Sequence, residues 1–415
     1  MDGPTVHPGT AMASHTWSRG LTRVPYWVYQ DPDIARHEQT RIFHGPVWNF
    51  LCLEVDIAKA GDFRTTFMGD MPVVVVRGDD GAIHAFENRC AHRGALICLE
   101  NAGNARDFAC VYHSWRYDQC GNLVSIAFRH GVKGQGGMPE GFELAGNGPR
   151  KLRTTTFCGL VFGTLSQATP PIEDYLGEAI SARIRRVLKK PVEVIGRFTQ
   201  PLPNNWKLYF ENVRDTYHAT LLHLFFTTFQ ITRFTHGGGV LVSETGAHHV
   251  STTMAPPQEH ENAYAGLRAD NADFRLADPS VLDSHDEWGD GIQLQILSVF
   301  PGFVLQQIRN CLAVRQIVPH GVDSTDLNWT YIGFADDTPE MRARRLKQNN
   351  LVGPAGYVSM EDGCVGGFVQ RGTVAASDEE SIVEMGGAST ETSPTRATEA
   401  AVRGFWKEWR RLMEV

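Results

Sequence analysis

Two short runs of cysteine and histidine carry the most specific chemistry in this sequence. Cys90-Ala-His92-Arg-Gly94 is followed, with seventeen residues between His92 and Cys110, by Cys110-Val-Tyr112-His113-Ser-Trp115. Each run offers one thiolate and one imidazole. Two thiolates and two imidazoles on paired loops suit a [2Fe–2S] cluster, with cysteines on one iron and histidines on the other, and the imidazoles raise its potential above that of an all-cysteine cluster. The plain alternative is a structural zinc site of two cysteines and two histidines. Zinc fingers place both cysteines before both histidines, whereas each of these runs carries one of each. Gly94, Tyr112 and Trp115 also suit tight, partly water-shielded loops. The other cysteines, Cys52, Cys98, Cys120, Cys158, Cys311 and Cys364, show no partner pattern and are expected to be ordinary thiols.

A second constellation lies in ENVRDTYHATLLH, which supplies Glu211, Asn212, Asp215, His218 and His223. Two histidines and one carboxylate leave open positions on iron(II), the ligand set used for oxygen activation. On a regular helix, His218 and His223 would stand roughly 140° apart at about 100° per residue. Both reach one metal only if the helix is distorted or ends between them, and the carboxylate must come from elsewhere in the chain. Taken alone, this spacing is equally that of two ordinary histidines on a helix face.

Arg315 lies in the strand-like run CLAVRQIV, where alternation puts Cys311, Ala313 and Ile317 on its face. A guanidinium on an apolar face needs an anionic partner, either an internal acid or a substrate carboxylate, which arginine matches bidentately. Arg396, in SPTRATE, precedes the last helical stripe and would by default be an exposed loop arginine. His248 and His249 read equally as pocket residues or as a surface strand pair.

These groups need elements to hold them. From about 47 to 163 the pattern is short β runs broken by turn residues, as in PVVVVRG, AIHAFENR and GLVFGTL. SQATPPIEDYLG reads as a linker entering a helix. Residues 204–226 have helical apolar spacing, and 291–334 reads as a run of antiparallel strands. Residues 257–291 are polar and are expected to form long surface loops or a lid. Thr338-Pro339 is a good helix start. Val402, Phe405, Trp406, Trp409 and Met413 fall on one helical stripe at the C-terminus.

The chain has 415 residues, too many for one ordinary core, so two domains are expected. A formal net charge of −8 with no basic block speaks against nucleic-acid binding. No apolar stretch is long enough for a membrane helix. The N-terminus reads as a flexible leader, not a secretory signal. Eight sparse cysteines without an export signal make a reducing cytoplasm the expected location.

With both metal-type runs present in this order, the chain from about Thr22 onward resembles the α subunit of ring-hydroxylating Rieske oxygenases. Within that family it is most similar to the terephthalate 1,2-dioxygenase branch. ENRCAHRGALI, GVKGQGGMP, PNNWKLYFENV, LLHLFFTTF, GPAGYVSMEDG, GGFVQRG and RATE carry the closer likeness. The resemblance implies an α+β chain in three parts. Residues 1–44 form a leader and a helix packing on the catalytic domain, 45–165 an all-β Rieske domain, and 166–415 a helix-grip-like catalytic domain with an antiparallel sheet.

The resemblance also implies site roles. Cys90, His92, Cys110 and His113 hold the cluster, and His218, His223 and a carboxylate in SMEDG hold mononuclear Fe(II). The match falls on Asp362, with Glu361 beside it as the other choice. Asp215 bonds His218 and the neighbouring subunit's His113, joining the two centres. Asn212 and Tyr217 stand near the iron pocket. The implied reaction uses O2 on an aromatic carboxylate, with NAD(P)H acting only through a separate reductase. A trimer of α subunits with a smaller β subunit, α3β3, is the implied assembly. Arg315 and Arg396 on opposite sides of the pocket would suit a para-dicarboxylate, whereas salicylate, anthranilate or a halobenzoate would need only one of them. A Rieske electron carrier without oxygenase activity is the alternative from another class.

Overall fold

The computed structural model describes residues 15–254, 264–267, 273–354, 356 and 358–415. Near the start, β1 (Arg23–Pro25) pairs antiparallel with the distant β19 (Glu380–Ile382), and α1 (Trp27–Gln30) and α2 (Pro32–Glu38) follow it. Trp27 and Tyr29 share a core with the last helix, α9 (Ala400–Met413). That helix buries Val402, Phe405, Trp406, Trp409 and Met413, the stripe expected from its spacing.

The β-rich first half folds as two sheets. β2 (Asn49–Leu53), β3 (Asp62–Met68), β4 (Met71–Arg77), β5 (Ile83–Glu87), β6 (Ala102–Asn104), β10 (Lys151–Phe157) and β11 (Leu160–Thr164) pair in the order β2-β11-β10-β5-β4-β3-β6. β7 (Asp107–Ala109), β8 (Arg116–Asp118) and β9 (Leu123–Ser125) form a small separate sheet. The run containing Cys90 leaves the end of β5, and the run containing Cys110 is the tip between β7 and β8.

After α3 (Ile172–Leu176) and α4 (Glu178–Val187) comes a second, larger sheet. It contains β12 (Val192–Leu202), β13 (Gly238–Val242), β14 (His249–Met254), β15 (Ile292–Val299), β16 (Phe303–Ile308), β17 (Cys311–Pro319) and β18 (Thr325–Phe334). From β13 to β18 it is an antiparallel meander, and β12 closes against β18. Period-two alternation sorts its side chains into two cores. Val304, Ile308, Ala313 and Ile317 pack with α9 and with Tyr209 and Phe210 of α5 (Trp206–Arg214). Phe303, Leu305, Leu312 and Val314 pack on the other face with Ile180 and Ile184 of α4. α6 (Leu224–Thr228), α7 (Pro339–Val352) and α8 (Ser359–Thr373) complete the chain. Thr338 caps α7 by accepting from the Met341 N–H.

One local expectation changes. Residues 204–226 are not one helix, because α5 stops at Arg214 and a short 3-10 turn, His218–Thr220, intervenes before α6. Of the polar segment 257–291, residues 257–263 and 268–272 lie outside the described residues. The part from 273 carries only a 3-10 turn at Pro279–Leu282 before β15.

Candidate active site

The break after α5 solves the angular problem of the two histidines. Asn205 caps the start of that helix by accepting from the Lys207 N–H. Asp215 ends it in an extended conformation, with ψ 104°. Asp215 Oδ1 then accepts from the backbone N–H of Tyr217 at 2.7 Å and of His218 at 3.2 Å, so the carboxylate also organises the turn. With the helix ended, the two imidazoles face each other with ring centroids 5.2 Å apart.

Asp362, in the first turn of α8, completes the group. Its Oδ1 lies 3.5 Å from His218 Nε2 and 3.2 Å from His223 Nε2. Glu361 takes a different place: its Oε2 is 2.8 Å from His223 Nδ1, on the opposite edge of that ring. Asp215 does the same for His218, with Oδ2 3.2 Å from Nδ1. Each histidine thus has one nitrogen toward Asp362 and the other against a carboxylate, the arrangement that orients metal-ligating imidazoles. Asn212 Nδ2 donates to Asp362 Oδ1 at 3.1 Å. Tyr217 stacks toward Phe234 instead, with centroids 6.3 Å apart.

The carboxylates favour positive charge at this site. Burial alone would lower the pKa of His218, but the carboxylates of Asp215 and Asp362 override it and raise it to about 10. Burial would raise Asp362, yet its bonds to His218 and His223 hold it below the ordinary carboxylate range. Three ligand-type atoms from His218, His223 and Asp362 converge within 4.8 Å of one another, which fits one Fe(II) held by two nitrogens and an oxygen.

The two cysteine–histidine loops are built alike. The Cys90 N–H bonds the Ala95 carbonyl, and the Cys110 N–H bonds the Trp115 carbonyl. Four residues after each cysteine the backbone turns left-handed, at Gly94 (φ 76°) and Ser114 (φ 55°). Cys90 and Cys110 are buried, while His92 and His113 are exposed. The two histidine Nδ1 atoms point at each other across 3.2 Å. Trp115 stacks on His92 with centroids 4.8 Å apart, and Tyr117 Oη lies 3.2 Å from Cys90 Sγ. Two inner sulfurs and two outer, converging nitrogens fit a [2Fe–2S] group with one all-sulfur and one imidazole-bound iron.

Beside His218, His223 and Asp362 opens a cavity. Its floor is one face of the large sheet: Ser251 and Thr253 on β14, Leu294 and Ile296 on β15, and Gln306 and Ile308 on β16. Arg315, from β17, and Arg396 both line it. Arg315 is 6% exposed and Arg396 5%, so Arg396 is not the exposed loop arginine expected by default.

Arg315 donates from Nη1 to Tyr209 Oη at 2.7 Å and from Nη2 to Gln306 Oε1, with its guanidinium 4.3 Å from the Trp329 ring centroid. Arg396 is held by the hydroxyls of Thr232 and Thr253 and by the carbonyls of Arg233 and His236. Burial lowers its pKa only to about 10, so it stays cationic at neutral pH. These partners are neutral oxygens, and the only acids on the cavity wall among the described residues are Asp215 and Asp362 at the iron end.

His248 and His249 are neither pocket residues nor a surface pair. Both are buried, His248 between the Tyr175 carbonyl and the Phe300 N–H and His249 against Ser298 Oγ, away from the cavity wall. Tyr209 and Gln306 were missed by sequence reasoning. Their signal was a polar residue on an otherwise apolar face, visible for Gln306 between Val304 and Ile308.

Residues 47–134 match the family of the Rieske [2Fe-2S] domain, and residues 189–415 match the ring hydroxylating alpha subunit (catalytic domain). The alpha 2 subunit of the terminal oxygenase component of terephthalate 1,2-dioxygenase from Comamonas sp. is 59% identical over 394 residues, covering 94% of this chain and 95% of that one. The anthranilate 1,2-dioxygenase large subunit of Burkholderia cepacia is 46% identical over 395 residues, covering 94% and 93%. Naphthalene 1,2-dioxygenase from Rhodococcus sp. shares the fold, with TM-score 0.79 at 24% identity and 94% of each chain covered. Among the described residues no helix is long and apolar enough to cross a membrane.

Proposed function

The chain belongs to the Rieske ring-hydroxylating oxygenase large (α) subunits, which work with a reductase and typically a β subunit, and on that premise we propose that it cis-dihydroxylates terephthalate at the 1,2 positions. Bound at these sites, the [2Fe–2S] cluster supplies electrons and Fe(II) supplies oxygen activation.

In this reading Cys90, His92, Cys110 and His113 hold the cluster, and His218, His223 and Asp362 hold the iron. Glu361 and Asp215 keep the Nδ1 edges of His223 and His218 in place. Asn212 fixes the Asp362 carboxylate. Arg315 and Arg396 bind the two substrate carboxylates and hold the ring beside the iron ligands. The carboxylates are handles and not reacting groups: they present the carboxylated carbon and its neighbour, a proximity effect. The ring gains both atoms of O2.

The observation that carries the substrate is the pair of buried guanidiniums lining one cavity, with no acid bonded to either among the described residues. An unpaired buried cation is costly, and a dianionic ligand relieves two at once. Thr253, which holds Arg396, and Arg315 stand on β14 and β17 with two strands between them, a lateral offset of about 14 Å at ~4.8 Å per strand. The two guanidiniums are thus held at different places over the sheet, as two carboxylates on one ring require. Anthranilate, salicylate or a halobenzoate would leave one guanidinium unmatched.

Exposure supports the assembly. Tyr112 and Val111, on the cluster loop, are 54% and 71% exposed. The crevice beside Asp215 and His218 is lined by Tyr29, Glu211 and Glu399 among others, and by none of the cluster-loop residues. In this reading a second copy brings its His113 to Asp215 within a trimer, with β subunits in an α3β3 assembly, and a monomer is nearly inactive. The deciding experiment is product analysis over a panel of benzoates with a compatible reductase. A cis-dihydrodiol from terephthalate in clear preference to the monoacids is expected, and preference for a monoacid would reassign the substrate.

A further inference from the structure

Gln306 is fully buried on β16, on the same sheet face as Arg315, and lines the same cavity. A guanidinium has only donors, so the Gln306 atom that meets Arg315 Nη2 is the amide oxygen. This fixes the amide: Nε2 is turned away from Arg315, and among the described residues it has no acceptor, nor has the buried Nε of Arg315. Leaving a buried donor unmet is costly, the more so when it is charged. The pair lines a cavity whose only acids among the described residues are Asp215 and Asp362, beside the two histidines. Such donors call for an acceptor with several lone pairs that arrives with the ligand.

We propose that Gln306 Nε2 donates to the substrate carboxylate held by Arg315, so that an amide–guanidinium pair, and not the arginine alone, selects a carboxylate at that end of the ring. This rests on the aromatic-acid reading given above. A carboxylate offers two oxygens with about four acceptor sites and no donor, enough for both residues at once. A neutral amide brings a single acceptor oxygen and an NH2 that opposes Nε2. Because Oε1 of Gln306 is already bonded to a cation, its N–H groups are polarised into better donors. The residue therefore recognises the substrate as well as supporting Arg315.

The test joins a crystal structure of the holoenzyme soaked with terephthalate to calorimetric binding of terephthalate and benzoate. A carboxylate oxygen within about 2.7–3.2 Å of Nε2 is expected. Gln306→Met, similar in size, should weaken both acids by about tenfold to a hundredfold, since bonds to charged groups contribute about 1.5–3 kcal/mol at about 1.4 kcal/mol per decade. Gln306→Glu is nearly isosteric and decides the matter if Gln306→Met does not fold. It removes the donor and adds a like charge, and should weaken both acids at least as much. The cluster absorption and melting temperature of either variant report on the fold. A carboxylate seated on Arg315 with Nε2 unengaged, or a folded variant that binds benzoate as tightly as the wild type, overturns the role of Gln306 alone. A wild-type protein that binds no aromatic acid overturns the substrate reading, and Gln306 with it.

Discussion

Nδ1 of His218 lies 3.2 Å from Oδ2 of Asp215, on the ring edge opposite Asp362. The other oxygen of Asp215 is tied to two backbone N–H groups of the turn it starts. Helix end, turn and histidine orientation therefore share one carboxylate. Asp215 also lines the crevice beside His218, so in the proposed assembly the same residue serves a bond within the chain and one between chains.

Asp215→Asn nearly preserves size and removes the charge. The amide oxygen can still accept from the turn, so the fold is expected to hold. The cluster should reduce normally and iron should be at least partly retained, while electron transfer to that iron slows by orders of magnitude. Single-turnover product formation, measured with a prereduced cluster, is the readout. A normal yield at a normal rate would dispose of the bridging role.

Asp362 and Glu361 are neighbours in sequence but meet different atoms. Asp362 faces the Nε2 atoms of both histidines, whereas Glu361 meets only Nδ1 of His223. Asp362→Ala, His218→Ala and His223→Ala should each empty the mononuclear site and leave the cluster spectrum intact. Glu361→Ala should keep iron but hold it about ten- to a hundredfold less tightly, as losses of outer partners do. Iron analysis of the purified variants separates the two. Full iron in Asp362→Ala with none in Glu361→Ala would reverse the assignment.

The cluster makes the plainest chemical claim. A red-brown protein with two cluster irons and one mononuclear iron per chain is expected, and replacing Cys90, His92, Cys110 or His113 should abolish the visible and EPR signals. Zinc in place of iron, in an anaerobically prepared sample, would refute the cluster.

How much of this could be read from residues depends on whether local spacing carries the information. The cysteine–histidine loops are local, and their order separated them from a zinc finger before any coordinates. The strand run 291–334 and the C-terminal stripe were equally legible, because alternation and helical periodicity report burial directly. The helix break at Asp215 was only half legible. The angle between His218 and His223 demanded an irregularity, but periodicity across 204–226 still read as one helix. Burial of Arg396 was not legible at all. It depends on Thr232, Thr253 and two carbonyls far away in sequence, and an arginine after Ser-Pro-Thr looks solvated when read alone. Gln306 lay in plain view as a polar residue on an apolar face, but its meaning needed Arg315 on the next strand.

Arg396 carries the greatest risk. If it binds the second carboxylate, Arg396→Gln should weaken terephthalate far more than benzoate-type monoacids. Truncating one partner of a buried, hydrogen-bonded charge pair costs about 2–5 kcal/mol. That is roughly a thirtyfold to several-thousandfold loss at about 1.4 kcal/mol per decade. An arginine in solvent would give less than about 1 kcal/mol, but Arg396 is 5% exposed and held by four neutral oxygens. Removing its charge also relaxes those bonds, so some loss common to all substrates is expected, and the selective part is the informative one. Arg315→Gln should behave differently and impair mono- and diacids alike, because every such substrate has one carboxylate to place there. The comparison is kcat/KM for both variants on terephthalate and on benzoate or salicylate. Equal, small effects of Arg396→Gln on all acids would remove the para-dicarboxylate argument and leave an oxygenase of an unspecified aromatic acid.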